Sequence, residues 1–198
     1  PVWTEDDQRF ARATQGEVGG AETGLATQIS RLRPAPTEAQ RTAGYADDIG
    51  DISWNVPTAT LSFPSNIPGL PGHNWANAIA MATPIAHKGA TQGALAQSMT
   101  LLDFMVRPDL VEAAWDYFRD VQTADLQYTP FIRPTDQPAI EMNAGILDEF
   151  RERMRPFYYN PDQHDSYLDQ LGVSYPTLRQ PDGRCTIGSV SEQQGGGR

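Results

Sequence analysis

The sequence has few of the residues on which several common protein chemistries depend. Among its 198 residues is a single cysteine, Cys185, which excludes an internal disulfide framework and a zinc site built from cysteines. No run of about 18 apolar residues is present, so we expect no membrane span. Lysine and arginine total 15 against 25 acidic residues, and a net charge of −10 argues against nucleic acid as the partner. These absences predict an acidic protein of the reducing cytoplasm.

The motifs of several enzyme classes are also missing. The sequence has no Gly-x-Ser-x-Gly elbow, no phosphate-binding loop, no dinucleotide-binding fingerprint and no His-Glu-x-x-His helix. Its first residues lack the basic and apolar regions of a signal peptide, and no methionine precedes Pro1, so we expect the chain to start inside a longer product. The histidines are His73, His87 and His164.

What is present is a mixture of helix and strand patterns between loops rich in proline and glycine. Thr4 followed by Asp7 predicts a capping box that opens a helix through about residue 15. Residues 58–63 alternate, which predicts a strand. Residues 87–106 are rich in small side chains, which predicts a helix packed closely against a sheet. Further helices are predicted from 108 onwards, over 144–155 and over 162–171. We therefore predict the C-terminal portion of an α/β domain, with a sheet covered by helices.

His73 follows a loop, residues 68–72, that proline stiffens and glycine opens. Such a loop can present an imidazole at little cost in ordering, as a metal ligand requires. The alternative is a loop histidine that caps a helix. A lone histidine with a few carboxylates does not hold a catalytic zinc securely, because such sites usually take three protein ligands.

Two further polar clusters have a functional and a structural interpretation. Asp47, Asp48 and Asp51 repel one another unless they are solvated, paired or bound to a cation, and such carboxylates often orient a ligating histidine. The alternative is an acidic surface turn. His87 and Lys88 begin a helix, whose N-terminus favours anions, so they could meet a substrate carboxylate. The alternative there is an ordinary first turn.

Four strings of the sequence resemble segments of p-aminobenzoyl-glutamate hydrolase subunits, which belong to the aminoacylase and glutamate carboxypeptidase superfamily of metallohydrolases. The strings are residues 48–58 (DIGDISWNVPT), 71–75 (PGHNW), 85–89 (IAHKG) and 167–177 (YLDQLGVSYPT). The resemblance covers roughly residues 40 to 179. Each string is short, and their common order and spacing give the match its specificity.

The resemblance implies a catalytic α/β domain with a metal centre and an inserted domain used for dimerisation. The catalytic domain of this superfamily is discontinuous, and its returning last segment supplies one final histidine ligand, which here would be His73. We therefore expect residues 1–20 to end the inserted domain or connect to it, and 21–179 to form the returning segment. Residues 180–198 are expected to be a disordered tail. The implied cofactor is a divalent transition metal, zinc or manganese, as one or two ions.

The function implied is metal-dependent hydrolysis of the amide C–N bond in a small acyl- or aroyl-amino-acid substrate. Asp51 and His87 are the residues we assign to catalysis, and Lys88 and Asn74 those we assign to substrate binding. The superfamily's other ligands and its general-base glutamate are absent here, which implies a complementary N-terminal segment or chain and a homodimer of the complete enzyme. Two alternatives stay open: removal of an amino group from an aromatic ring, and a non-catalytic piece that kept the fold.

Overall fold

The computed structural model describes residues 1–31, 37 and 48–187 of the chain. The chain forms two compact units. Unit 1 consists of Pro1–Gln28, Phe63–Ala94 and Arg153–Arg198, and unit 2 of Ile29–Ser62 and Leu95–Glu152. Asp47, one of the three clustered aspartates, lies outside the described residues, as do residues 188–198 of the predicted tail.

Helices dominate the described part of the chain. They are α1 (Glu5–Glu17), α2 (Asp48–Ser53), α3 (Trp75–Met81), α4 (Pro84–Val106), α5 (Pro108–Tyr117), α6 (Ala144–Met154) and α7 (Tyr167–Gln170). A π-helical turn, Phe118–Gln122, follows α5, and a 3₁₀ turn, Arg155–Phe157, follows α6. Within the described residues no helix is long and apolar enough to cross a membrane.

The predicted α/β fold is wrong for the described residues. Their β structure is limited to one antiparallel hairpin, in which β1 (Thr177–Arg179) pairs with β2 (Cys185–Ile187). The alternating stretch 58–63 is exposed and lacks regular secondary structure, because no other described segment pairs with its backbone. An alternation of apolar and polar residues forms a strand only where a second strand pairs with it. The described part of the chain supplies no such partner for residues 58–63.

The core of unit 1 forms where α1, α3 and the start of α4 meet two loop segments. Its buried side chains are Ala11, Leu25, Ile67, Ala80 and Ile85, with Trp3, Phe10 and Leu70 packed against them. The helix residues Ala11 and Ala80 are both fully buried in this cluster. The core fixes the positions of α3, which begins two residues after His73, and of the first turns of α4, which carry His87.

Polar side chains of α1 hold the loop segment 23–26 against the helix. The amide of Gln8 donates to the Leu25 carbonyl at 3.1 Å and accepts from the Leu25 N–H at 2.8 Å. Gln15 is buried and accepts from the Gly24 N–H at 2.8 Å, and its Nε2 donates to the Pro68 carbonyl at 2.9 Å. These hydrogen bonds fix the loop, because moving it away would leave buried backbone N–H and C=O groups without partners, which lowers stability.

Two glycines of α4 allow the segment 63–65 to approach the helix axis. A Cβ at Gly89 would lie 2.6 Å from Cα of Ser65, and one at Gly93 would collide with the Phe63 ring. The small residues of α4 were predicted to pack against a sheet. Gly89 and Gly93 pack instead against this irregular segment, whose approach to the helix likewise needs residues without a Cβ.

Unit 2 has little interior. No residue of α2, α5 or α6 is buried, and Phe118 is its one buried apolar side chain among the described residues. The ring of Trp115 meets Phe118 edge to face, with ring centroids 5.7 Å apart. The helices of unit 2 therefore depend on local interactions more than on burial.

Candidate functional site

His73 stands in a backbone conformation that non-glycine residues seldom adopt. Its φ is 51°, and no other non-glycine residue in the described part of the chain has a positive φ. Its side chain is exposed, in the loop that leads into α3. Strained positions of this kind persist where the surrounding structure holds them, and they are concentrated at functional sites. The prediction that this loop presents an imidazole matches the position of His73, and its role as a metal ligand stays a prediction.

The helix cap at this point belongs to Asn74 and not to His73. The Asn74 side chain accepts a hydrogen bond from the Ala76 N–H at 2.9 Å and so caps α3. Asn77 ties the helix back to the loop by donating to the Pro71 carbonyl at 2.7 Å. Asn74 therefore has a structural task that fixes the direction of the chain immediately after His73, and its predicted contact with substrate stays a prediction.

An aromatic cleft of about 710 Å³ opens in unit 1 beside α3. Its apolar walls include Phe10, Trp75, Ile79, Leu168, Tyr175 and Leu178. Glu17, Glu22 and Arg179 supply charge, and Arg179 lies 3.8 Å from Glu17. Trp75 is only two residues from His73, and its side chain is 54% exposed. The volume falls within the range of roughly 300–1,000 Å³ that is typical of small-molecule sites.

A buried carboxylate organises the polar part of unit 1. The Asp7 side chain is 1% exposed and accepts from Lys88 Nζ at 2.6 Å, from the Thr4 N–H at 2.8 Å and from the Tyr175 hydroxyl at 3.0 Å. Lys88 is the only lysine in the sequence, and its side chain is 34% exposed. Because Lys88 pairs with Asp7, it stabilises the unit, and its predicted contact with substrate stays a prediction.

The pKa values of this network follow from burial and hydrogen bonding. Burial by itself would raise the pKa of Asp7, but the hydrogen bonds from Lys88, Thr4 and Tyr175 outweigh it, so the pKa lies below the ordinary 3.8. Burial, together with the neighbouring charge of Asp7, raises the pKa of the Tyr175 hydroxyl. At neutral pH Asp7 is therefore charged, and Tyr175 keeps its proton and donates a hydrogen bond to Asp7.

His87 lines a smaller cavity of about 340 Å³ in the same unit. The cavity also contains Ser166, Asp169 and Ser174, and Tyr175 lines both this cavity and the aromatic cleft. An imidazole, a carboxylate and hydroxyl groups in one small cavity can bind a polar ligand. No side-chain contact in the structure sets His87 against a reacting group, so its catalytic role stays a prediction.

Asp51 belongs to unit 2, where it lies exposed in the first turn of α2 beside Asp48. Its side chain accepts a hydrogen bond from the Tyr128 hydroxyl. That hydrogen bond raises the pKa of Tyr128, with smaller contributions from desolvation and from the charge of Asp51. Asp51 thus has a tyrosine partner, and its predicted support of a metal ligand stays a prediction.

The described residues do not form a metal site by themselves. Among them, no group of three or more His, Cys, Asp or Glu side chains is placed so that it could hold a metal ion. His73 can therefore supply at most one ligand of a site whose other ligands come from elsewhere. The network around Asp7 was not foreseen as a site, because its partners lie 81 and 168 residues further along the chain.

Comparison with known proteins places this chain beside a hydrolase. The chain is similar to a p-aminobenzoyl-glutamate hydrolase subunit of Escherichia coli (strain K12), with 28% identity over 154 residues. The match covers 66% of this chain and 31% of the relative, so the chain spans about a third of that protein's length. No family model matches the chain, and no solved structure matches it. The resemblance drawn from the sequence strings is confirmed by this match.

Proposed function

We propose that this chain is the C-terminal part of the catalytic domain of a metal-dependent amidohydrolase, which cleaves the amide C–N bond of a small acyl- or aroyl-amino acid. The name of the E. coli relative describes the hydrolysis of such a compound. Among the described residues no group of side chains could hold a metal ion, and in this proposal a complementary polypeptide supplies the other ligands. A cytoplasmic location and a homodimer of the complete enzyme are further parts of the proposal.

The observation that supports the proposal best is the backbone of His73. A histidine with a φ of 51°, exposed just before a capped helix, has an unfavourable backbone conformation, and such conformations are concentrated at functional sites. Two residues later Trp75 lines the aromatic cleft, whose apolar walls suit an acyl or aroyl group. His73 would bind the metal, and the cleft beside α3 would hold the apolar half of the substrate.

The test replaces His73 by asparagine in the complete hydrolase, in which this chain is combined with the polypeptide that carries the other ligands. Asparagine tolerates the left-handed region better than other residues, so His73→Asn removes the imidazole and leaves the loop in place. We expect bound metal to be lost and turnover to fall by more than about 100-fold. Removing a residue that only orients a metal ligand costs up to about 100-fold, and removing the ligand itself should cost more. Elemental analysis gives metal per assembly, and p-aminobenzoyl-glutamate and N-acetyl amino acids serve as substrates.

His164→Asn is the matched control, because the His164 ring lies beside Asp169, with Nδ1 3.3 Å from Oδ2, and the variant leaves the His73 loop untouched. This variant should keep both metal and turnover. The products separate the two reactions that were predicted: a free amino acid indicates amide hydrolysis, and ammonia alone indicates removal of a ring amino group. Full metal and full rate in His73→Asn would overturn the proposal.

A further inference from the structure

The aromatic cleft of unit 1 is bordered in part by the last turn of α1. Its walls include three aromatic rings, those of Phe10, Trp75 and Tyr175. The rings of Phe10 and Tyr175 are tilted against each other at 53°, with centroids 5.3 Å apart. The face of an aromatic ring carries partial negative charge, so it attracts a cation as well as an apolar group. These walls therefore suit a ligand that combines an apolar body with a positive charge.

The charged side chains of the cleft are mostly acidic. Glu17, the last residue of α1, and Glu22 both line it, and Arg179 is the basic residue among its described lining residues. Arg179 lies 3.8 Å from Glu17, and its own side chain is 68% exposed. Glu22 has no ion-pair partner within the part of the chain that the structure describes. Two carboxylates against one guanidinium leave one negative charge of the cleft unbalanced.

The position of Glu22 makes this unbalanced charge unfavourable. A Cβ at Gly16 would lie 2.7 Å from Oε1 of Glu22, so the carboxylate rests against the last turn of α1 in the space that this glycine leaves open. The C-terminus of a helix carries partial negative charge, which cations stabilise and carboxylates oppose. The last turn of α1 contains no basic residue. Glu17 and Glu22 therefore lie where a cation is favoured, and a cation bound in the cleft would relieve their repulsion.

We infer that the aromatic cleft prefers ligands in which an apolar body carries an ammonium group over neutral or anionic ligands of the same shape. The body packs against the aromatic walls, and the ammonium group lies beside Glu22. The inference rests on the proposed function for the role of the cleft and deepens it, because it gives the charge that the apolar half of the substrate carries.

The test measures binding to this chain by titration calorimetry at neutral pH with three probes that share a phenyl ring: phenethylamine, phenethyl alcohol and phenylacetate. Phenethylamine should bind about 10-fold more tightly than phenethyl alcohol, because it adds a cation–π contact and an ionic contact, and phenylacetate should bind most weakly. Glu22→Gln keeps the shape of the side chain and should weaken the binding of phenethylamine about 3- to 5-fold while leaving that of phenethyl alcohol unchanged.

Two further variants locate the binding. Glu5→Gln is the matched control, because Glu5 is exposed at the other end of α1 and does not line the cleft. It should leave the affinities of all three probes unchanged. Trp75→Leu removes an aromatic wall and should weaken the binding of phenethylamine and of phenethyl alcohol. Trp75 is 54% exposed, so this change should leave the fold intact, and thermal melting checks that each variant is folded.

Each result decides the inference. A preference for phenethylamine that Glu22→Gln reduces and Glu5→Gln preserves, with weaker binding in Trp75→Leu, supports it. Equal or tighter binding of phenylacetate overturns it, as does a preference that survives Glu22→Gln in full or the absence of measurable phenethylamine binding.

The binding experiment needs neither metal nor turnover, so it is separate from the test of the proposed function. Selective binding by a chain whose complete hydrolase cleaves no amide leaves the preference of the cleft standing and removes the proposed function. Equal binding of the three probes, together with loss of metal and turnover in His73→Asn, keeps the proposed function and overturns the inference.

Discussion

Unit 1 and unit 2 both contain helices but differ in how those helices are stabilised. In unit 1 a buried cluster, an ion pair with a buried carboxylate and the buried side chains of Thr14 and Gln15 hold α1, α3 and the start of α4. In unit 2 the helices rely on exposed contacts between close neighbours, such as the pair between Arg119 and Asp116. Helices therefore form in this chain both with and without a buried core. The same type of substitution should change the free energy of unfolding more in unit 1 than in unit 2.

The largest contrast is expected between Ile85→Ala in unit 1 and Leu102→Ala in unit 2. Ile85 is fully buried, so its truncation leaves a cavity and should lower the free energy of unfolding by about 2–5 kcal/mol. Leu102 is 58% exposed in the chain alone, and its truncation should change that free energy by no more than about 0.5 kcal/mol. Denaturant unfolding of the isolated chain measures both. Equal losses would mean that unit 2 has an interior comparable to that of unit 1.

The second contrast compares two aspartates that form ion pairs. Asp7→Asn leaves the partly buried Lys88 without its anion and should cost about 1–3 kcal/mol of unfolding free energy. Asp116→Asn removes an exposed pair and should cost about 0–1 kcal/mol. Lys88 is the only lysine, so amine-reactive labelling followed by peptide mapping should find it more reactive in Asp7→Asn than in the parent. Unchanged reactivity would show that the pair is not formed in solution.

The same carboxylate predicts a dependence of stability on acid. The pKa of Asp7 is lowered in the folded protein, so its contribution is fully present above the ordinary value of 3.8 and is lost as the pH falls through the lower, folded-state value. Thermal melting from about pH 6 downwards should therefore show a steeper loss below about pH 4 in the parent than in Asp7→Asn. Parallel curves would contradict the low pKa.

The third contrast concerns two glycines in helices. Gly89→Ala would drive a methyl group into the backbone of Pro64 and Ser65, and we expect the free energy of unfolding to fall by about 1–3 kcal/mol. Gly145, in α6 of unit 2, has nothing within 4 Å of the corresponding position, so Gly145→Ala should raise helix stability by about 0.5–1 kcal/mol. Unfolding experiments on both variants test the close packing of α4 directly. A neutral Gly89→Ala would place the segment 63–65 further from the helix.

The smallest structural effect is expected for Asp51→Asn. Asp51 is exposed and bonded to Tyr128, so the isolated chain should lose no more than about 0.5 kcal/mol. If Asp51 orients a metal ligand in the complete hydrolase, the same variant should lower metal affinity or activity about 10- to 100-fold. Comparing the isolated chain with the assembly separates the two roles, and activity within twofold of the parent would leave Asp51 in an acidic surface turn.

The sequence allowed the local features to be predicted. The capping box of Thr4 and Asp7 is confirmed, and so is a long helix that ends before Pro108. Gly172 has a positive φ just after α7, although α7 is shorter than the helix expected over 162–171. These features depend on residues within one or two turns of each other, which is the range over which sequence patterns determine structure.

Features that depend on distant partners could not be predicted. The pattern of 58–63 was interpreted as a strand because alternation is a local signal, whereas a sheet needs a second strand from elsewhere. Asp7 was identified only as a capping residue, since nothing in its surroundings indicates Lys88 or Tyr175 as partners. For His73, the loop position could be predicted from Pro68–Gly72, but not the left-handed backbone that separates it from an ordinary loop histidine.

The close approach between α4 and the segment 63–65 restricts which sequences can share this fold. At Gly89 every side chain adds a Cβ that the backbone of Pro64 and Ser65 excludes, so substitution there requires a compensating shift of the loop. Ala90, one residue further on, is exposed and meets no such restriction. Among natural variants of this chain, position 89 should therefore remain glycine while position 90 drifts freely, and exchanges at position 93 should be accompanied by a smaller residue at 63.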